Sequence, residues 1–189
     1  MSARHRKFLN DHFHAMVLQA TMQRATIYEP GSSERARALF RGGLQCFLDD
    51  VAPSYSALVS DETHIERIVA LASTLTRDHS PALQEGRFRL GPAQKALNLF
   101  LKYQWCSGWI AMPPHCAFDA RIIRTLPSYG AVTWTRLDSV DLYRHLVAAA
   151  RFRAADLPLA EWELREYGLV SEVAKRKREL ALPSAETQT

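Results

Sequence analysis

Apolar residues recur every three or four positions along almost the whole chain, the spacing of one face of an α-helix. Residues 5–27 predict a first helix, closed by "YEPGSS" at 28–33. Ser33 then opens a second helix through about Asp50, weakened by Gly42-Gly43. "APSYSALVSDE" (52–62) reads as a loop or short helix. Thr63 and Glu66 stand three apart, as in a capping box, ahead of Ile65, Ile68, Leu71 and Leu75 at helical spacing. A short helix from Pro81 and a tight turn lead to Gly91-Pro92. The next helix runs from Pro92 to about Ser107, with proline in its first turn, where a missing amide donor costs nothing.

After the loop "SGWIAMPPHC", further helices are expected over 117–126, from Asp138 or Ser139 to about Arg153, from Asp156-Pro158 to Gly168, and from Ser171 onward. The "AVTWT" stretch at 131–135 has strand-like composition, but a lone strand has nothing to pair with. The expected fold is all-α. No repeat or linker divides the chain, so one domain is expected over 1–182, with a flexible polar tail over 183–189.

Composition narrows the function classes. Of 189 residues, 47% are hydrophobic and 23% charged, the balance of a globular protein rather than a fibrous or membrane one. Three cysteines (Cys46, Cys106, Cys116) are too few for a four-thiolate iron–sulfur cluster, and they suit a reducing compartment. His115-Cys116 has no second pair at ligand spacing, so no metal or other cofactor is expected. Charges and histidines run through the first twenty residues, and no apolar run reaches membrane-spanning length. A cytoplasmic protein without a membrane partner is the expectation. Net charge is +4, carried mostly by arginine, the better bidentate partner for phosphate.

Against that arginine excess, lysine is scarce. Only Lys95 and Lys102 sit in the apolar centre of the chain. Lys95 lies one turn into the helix that follows Gly91-Pro92. A glycine turn followed by a helix N-terminus aims backbone amides at an anion, and Arg87 and Arg89 flank that turn. Asp119 opens the following helix, 24 residues after Lys95, far enough for the chain to return beside it. An amine disfavoured as ammonium, next to a carboxylate, makes a nucleophile and an anion that steadies developing positive charge. Asp119 also serves as an N-cap, and Lys95 beside Glu85 also reads as a snorkelling surface lysine.

The stretch from Arg89 to Arg124 resembles the helix–hairpin–helix DNA glycosylases, the superfamily of 8-oxoguanine glycosylase and endonuclease III. Their hairpin pattern Leu-x-Gly-x-Gly-x-Lys is matched by "RLGPAQK", with Ala93 in place of the second glycine. Their Val-Asp-x-x-x-x-Arg is matched by "FDARIIR" through Phe118, Asp119 and Arg124. "QKALNLFLKY" with "PPHC" is most similar to compact 8-oxoguanine-glycosylase-fold proteins, some of which accompany bacterial anti-phage gene clusters. The resemblance implies base excision from DNA with a flipped-out nucleotide. Lys95 would be the Schiff-base nucleophile of an AP lyase and Asp119 its carboxylate. Arg87, Arg89, Gly91, Ala93 and Arg124 would lie along the DNA. Trp109, His115 and Phe118 either line a base pocket or pack in the core. The loop "CSGWIAMPPHCA" is longer than in endonuclease III, and Ala117-Phe118 replaces the usual Pro-Val. The alternative is a module that keeps the fold for nucleic-acid or protein binding and lacks the chemistry. The basic run "AKRKREL" is either a solvated helical face or a contact to the DNA backbone.

Overall fold

The computed structural model describes residues 1–168. Among them are α1 (Ala3–Met22), α2 (Glu34–Val51), α3 (Asp61–His79), α4 (Leu90–Cys106), α5 (Ala120–Thr125) and α6 (Val140–Ala154), followed by helical residues 159–168, here α7. Short 3₁₀ turns fill several of the connections, and no strand forms among the described residues. The fold is all-α. None of the described helices is long and apolar enough to cross a membrane. The helix expected from Ser171, with its basic run, and the tail from Pro183 lie outside the described residues.

Polar residues stop most of the helices at their N-termini in the same way. Ser2, Ser33, Ser60, Asp119 and Ser139 each accept an amide proton of the first turn of α1, α2, α3, α5 and α6, satisfying donors that the helix itself cannot. Ser60 rather than Thr63 is therefore the cap of α3. Beyond α1, Ala25 and Ile27 keep the apolar pattern but are buried in chain that is no longer helical. There the carbonyl of Ile27 accepts from Gln84, and the amide of Glu29 donates to Ala82.

Helix α4 is the axis of the molecule. Fourteen of its residues are buried, among them Ala93, Ala96, Leu97, Phe100 and Leu101 at 0% exposure. It packs against α1 and α3, with the 3₁₀ turn Trp134–Arg136 across its first turns. Burying that much apolar surface supplies most of the driving force, at about 25 cal/mol per Å².

The polar residues of α4 are the exception on this apolar helix, and they bind its neighbours. Gln94 clamps the backbone of Phe118, donating from Nε2 to the carbonyl at 2.8 Å and accepting the amide at Oε1 at 3.1 Å. Asn98 donates to Tyr143 and Gln94 and accepts from His64. The chain after Cys116 is thus held beside the N-terminal half of α4.

Candidate functional site

Lys95 lies on the second turn of α4, 9% exposed, with its Nζ 4.3 Å from the centroid of the Trp134 ring. The Gln94 clamp fixes Phe118, so the next residue, Asp119, is brought to the same side of α4. Lys95 and Asp119 line one cleft of about 460 Å³, together with Arg24, Arg121, Arg124, Trp134 and Tyr167. This is the pair of residues singled out by the sequence. They share the cleft without an ion pair between them among the described residues.

The carboxylate of Asp119 is held from two sides. Its Oδ1 caps α5, accepting the amides of Arg121 at 2.8 Å and Ile122 at 3.1 Å. Its Oδ2 accepts the hydroxyl proton of Tyr167 at 2.6 Å. Burial, and then this hydrogen bond, push the Tyr167 phenol well above its ordinary range, so it stays a donor. The guanidinium of Arg121 sits 4.3 Å from the Tyr167 ring centroid. The orientation of the carboxylate is therefore fixed by α5 and α7 together.

Electrostatically the cleft combines a desolvated amine with a wall of arginines. Burial lowers the pKa of Lys95; Asp119 opposes that shift, while Arg24 and Lys102 add to it. Arg24, Arg121 and Arg124 form no ion pair with an acid among the described residues. Four basic side chains against one carboxylate attract a negatively charged ligand. Behind the cleft, Lys102 donates to Glu163 at 2.7 Å in a nearly dry pair. Burial raises the Glu163 pKa and the Lys102 ammonium opposes it. The second oxygen of Glu163 accepts the amide of Ala117 at 3.4 Å, tying α7 to the turn that carries Asp119.

The hairpin residues have internal roles. Gly91 and Ala93 are buried. The Gly91 amide donates to the carbonyl of Leu137 at 2.8 Å, and that of Ala93 to Arg89 at 3.2 Å. The Leu90 amide donates to Asp138 Oδ1, so a residue 48 positions along the chain caps α4. This is why α4 begins at Leu90 rather than at Pro92. Arg87 pairs with Asp138 at 2.7 Å, and Arg89 pairs with Glu85.

The three candidates for a base pocket lie elsewhere. Trp109 packs against Phe13 under the guanidinium of Arg6 and lines a different cleft. His115 is 1% exposed, with its Nδ1 2.9 Å from the hydroxyl of Tyr143. Phe118 is fully buried, edge-on to Tyr143. Arg124 reaches the Lys95 cleft.

Arg24, Arg121, Trp134, Tyr167 and Glu163 are members of this neighbourhood that sequence reasoning did not pick out. One signal pointed to Glu163. Lys102 is embedded in "LFLKYQW", and a cation among core residues requires an equally buried anion. Arg24, Trp134 and Tyr167 carry no local signal. Comparison with protein-family models, with curated protein sequences and with solved structures finds no match to this chain.

Proposed function

We propose that the protein is a DNA base-excision glycosylase of the helix–hairpin–helix kind, resembling 8-oxoguanine glycosylases, with lyase chemistry at Lys95. The observation that carries this reading is the shared cleft: a desolvated lysine and an oriented aspartate surrounded by arginines and aromatic rings. The neutral amine of Lys95 forms a bond to C1′ of a flipped nucleotide as the N-glycosidic bond breaks. The base leaves with the bonding electron pair and takes up a proton. Opening of the sugar ring at its oxygen gives an iminium, and loss of a C2′ proton then expels the 3′ phosphate. Asp119 steadies the positive charge that develops on the sugar. Arg24, Arg121 and Arg124 receive the phosphates on either side.

Borohydride reduction in the presence of duplexes carrying an abasic site or 8-oxoguanine tests this. A stable protein–DNA adduct is expected with the natural chain and none with Lys95→Gln. Binding without any adduct would leave the chemistry unsupported.

A second reading, a binding module without chemistry, is favoured by the start of α4. The amides there that would grip a phosphate are taken by Leu137 and Asp138, and Arg87 and Arg89 are paired with acids. Under that reading the natural chain and Lys95→Gln bind DNA alike and neither is trapped.

A further inference from the structure

A second cleft, about 550 Å³, lies apart from the one that holds Lys95. It opens between the N-terminal half of α1 and the end of α2. On α1, residues 3, 6, 7 and 10 face it; from the end of α2 onward, residues 49, 52, 53 and 56 do so. Both sets follow the i, i+3, i+4, i+7 spacing of a single helical stripe. On α1 such a stripe normally carries core residues, but here it carries Arg6, Lys7 and Asn10. The indole of Trp109 forms part of the floor.

Three polar residues of this cleft, Gln104, Asn10 and Asp49, are joined in one relay. Gln104, 5% exposed, donates from Nε2 to Asn10 Oδ1 at 2.7 Å. Asn10 donates to Asp49 Oδ1 at 2.9 Å, and His14 Nε2 lies 2.8 Å from the same oxygen. Two side chains thus fix the Asp49 carboxylate, and Gln104 fixes one of them. Its Oδ2 accepts no hydrogen bond among the described residues, and the side chain is 48% exposed at the cleft wall. Asp49 has no lysine or arginine partner among those residues, although Arg6 and Lys7 line the same cleft, Lys7 paired with Asp11. The guanidinium of Arg6, a flat group bearing N–H donors, lies over the Trp109 ring at 4.8 Å.

We infer that this cleft binds a guanine nucleotide. Its contents ask for a flat ring that stacks on an indole, presents adjacent N–H donors to a fixed carboxylate, and carries a negative charge toward the rim. Among the nucleobases only guanine offers a ring N–H and an amino group side by side. Adenine and cytosine place a ring acceptor beside their amino group, against the carboxylate. Uracil flanks its single N–H with two acceptors. The guanine ring takes the place of the Arg6 guanidinium on Trp109, its donor edge reaches Asp49 Oδ2, and the released Arg6 pairs with the phosphate. The inference does not depend on the chemistry proposed for Lys95.

Calorimetric titration of the full chain with GMP, AMP and CMP tests it. Saturable one-to-one binding of GMP is expected, at least about tenfold tighter than AMP, because adenine would turn a ring acceptor toward the carboxylate that guanine meets with donors. Asp49→Asn should collapse that preference. Arg6→Ala, an exposed change that leaves the core alone, should weaken GMP at least about tenfold and guanosine very little. Lys95→Gln should leave GMP binding unchanged. If Asp49→Asn does not fold by circular dichroism, Arg6→Ala and the GMP-to-AMP ratio decide.

Equal affinity for GMP and AMP, or no saturable binding, overturns the inference. So does loss of GMP binding in Lys95→Gln with retention in Asp49→Asn, which places the nucleotide in the other cleft. A single-stranded trinucleotide with a central guanine separates the two sources of the ligand. Tighter binding than GMP, still sensitive to Asp49→Asn, means that the guanine belongs to a strand; weaker binding means a free nucleotide.

Discussion

The backbone of Trp134 passes so close to Gly91 that a Cβ on the glycine would lie 1.8 Å from the Trp134 carbonyl oxygen. Backbone, not a flexible side chain, would have to move. The same approach places the Trp134 ring over Lys95 and lets Leu137 accept the Gly91 amide.

Gly91→Ala should therefore cost stability at the upper end of the overpacking range, about 3 kcal/mol. For a chain of this length that is a drop in Tm of roughly 6–12 °C. Thermal melts read it directly. An alanine variant as stable as the natural chain but weaker on DNA would mean that the glycine serves a phosphate instead.

That contact explains what was legible in the sequence and what was not. The helices were legible because their apolar spacing is local, and so was the return of Asp119 to the cleft of Lys95, since 24 residues hold one helix and one loop. The start of α4 was not, because Asp138 sets it from 48 residues away. The helix expected from Ala117 begins three residues later, at Ala120, because side chains of α4 and α7 hold the backbone of Ala117 and Phe118. Arg24, Trp134 and Tyr167 reach the cleft from elements whose approach is purely tertiary. Trp109 and His115, adjacent in sequence to the site, are turned away from it by the loop that carries them.

Acid should weaken the fold before the carboxylates titrate. His64 is fully buried between Tyr55 and Asn98. Burial, reinforced by His115, pushes its pKa down to about 3. In the unfolded chain it titrates near 6.5. Between these values the unfolded state binds the extra proton, so stability is complete above about pH 6.5 and falls progressively toward pH 3. Asp61, held well below its usual range by His115 and Arg151, acts in the same direction once the pH falls below about 4. Urea midpoints at pH 7, 5.5 and 4 should decline steadily. His64→Gln should begin lower at pH 7 and decline less steeply across that interval.

The Lys102–Glu163 pair should show strong coupling. Removing one partner leaves the other charged and dry, a loss of about 3–5 kcal/mol for Glu163→Gln. Lys102→Met should cost less at low pH, because Glu163, whose pKa is already raised, then takes up a proton in the folded state. The penalty of Lys102→Met should therefore grow from pH 5 to pH 8. The double variant Lys102→Met, Glu163→Leu should be far more stable than the sum of the single changes predicts. Additive losses in denaturant melts would mean that the pair is hydrated.

Asp119 performs two tasks that one pair of substitutions separates. As a cap it needs only an oxygen for the amides of Arg121 and Ile122, and asparagine supplies one as well as aspartate does. Asp119→Asn should therefore change stability by less than about 1 kcal/mol. Asp119→Ala should cost about 2 kcal/mol, losing both the cap and the acceptor of the Tyr167 hydroxyl. If the carboxylate also steadies a cationic sugar, it is the charge that matters. Under the glycosylase reading Asp119→Asn should slow borohydride trapping by about 10²–10³-fold while its melting temperature stays within a few degrees of that of the natural chain. Trapping that tracks stability across the two variants, unchanged in asparagine and reduced only in alanine, would leave Asp119 a helix cap and nothing more.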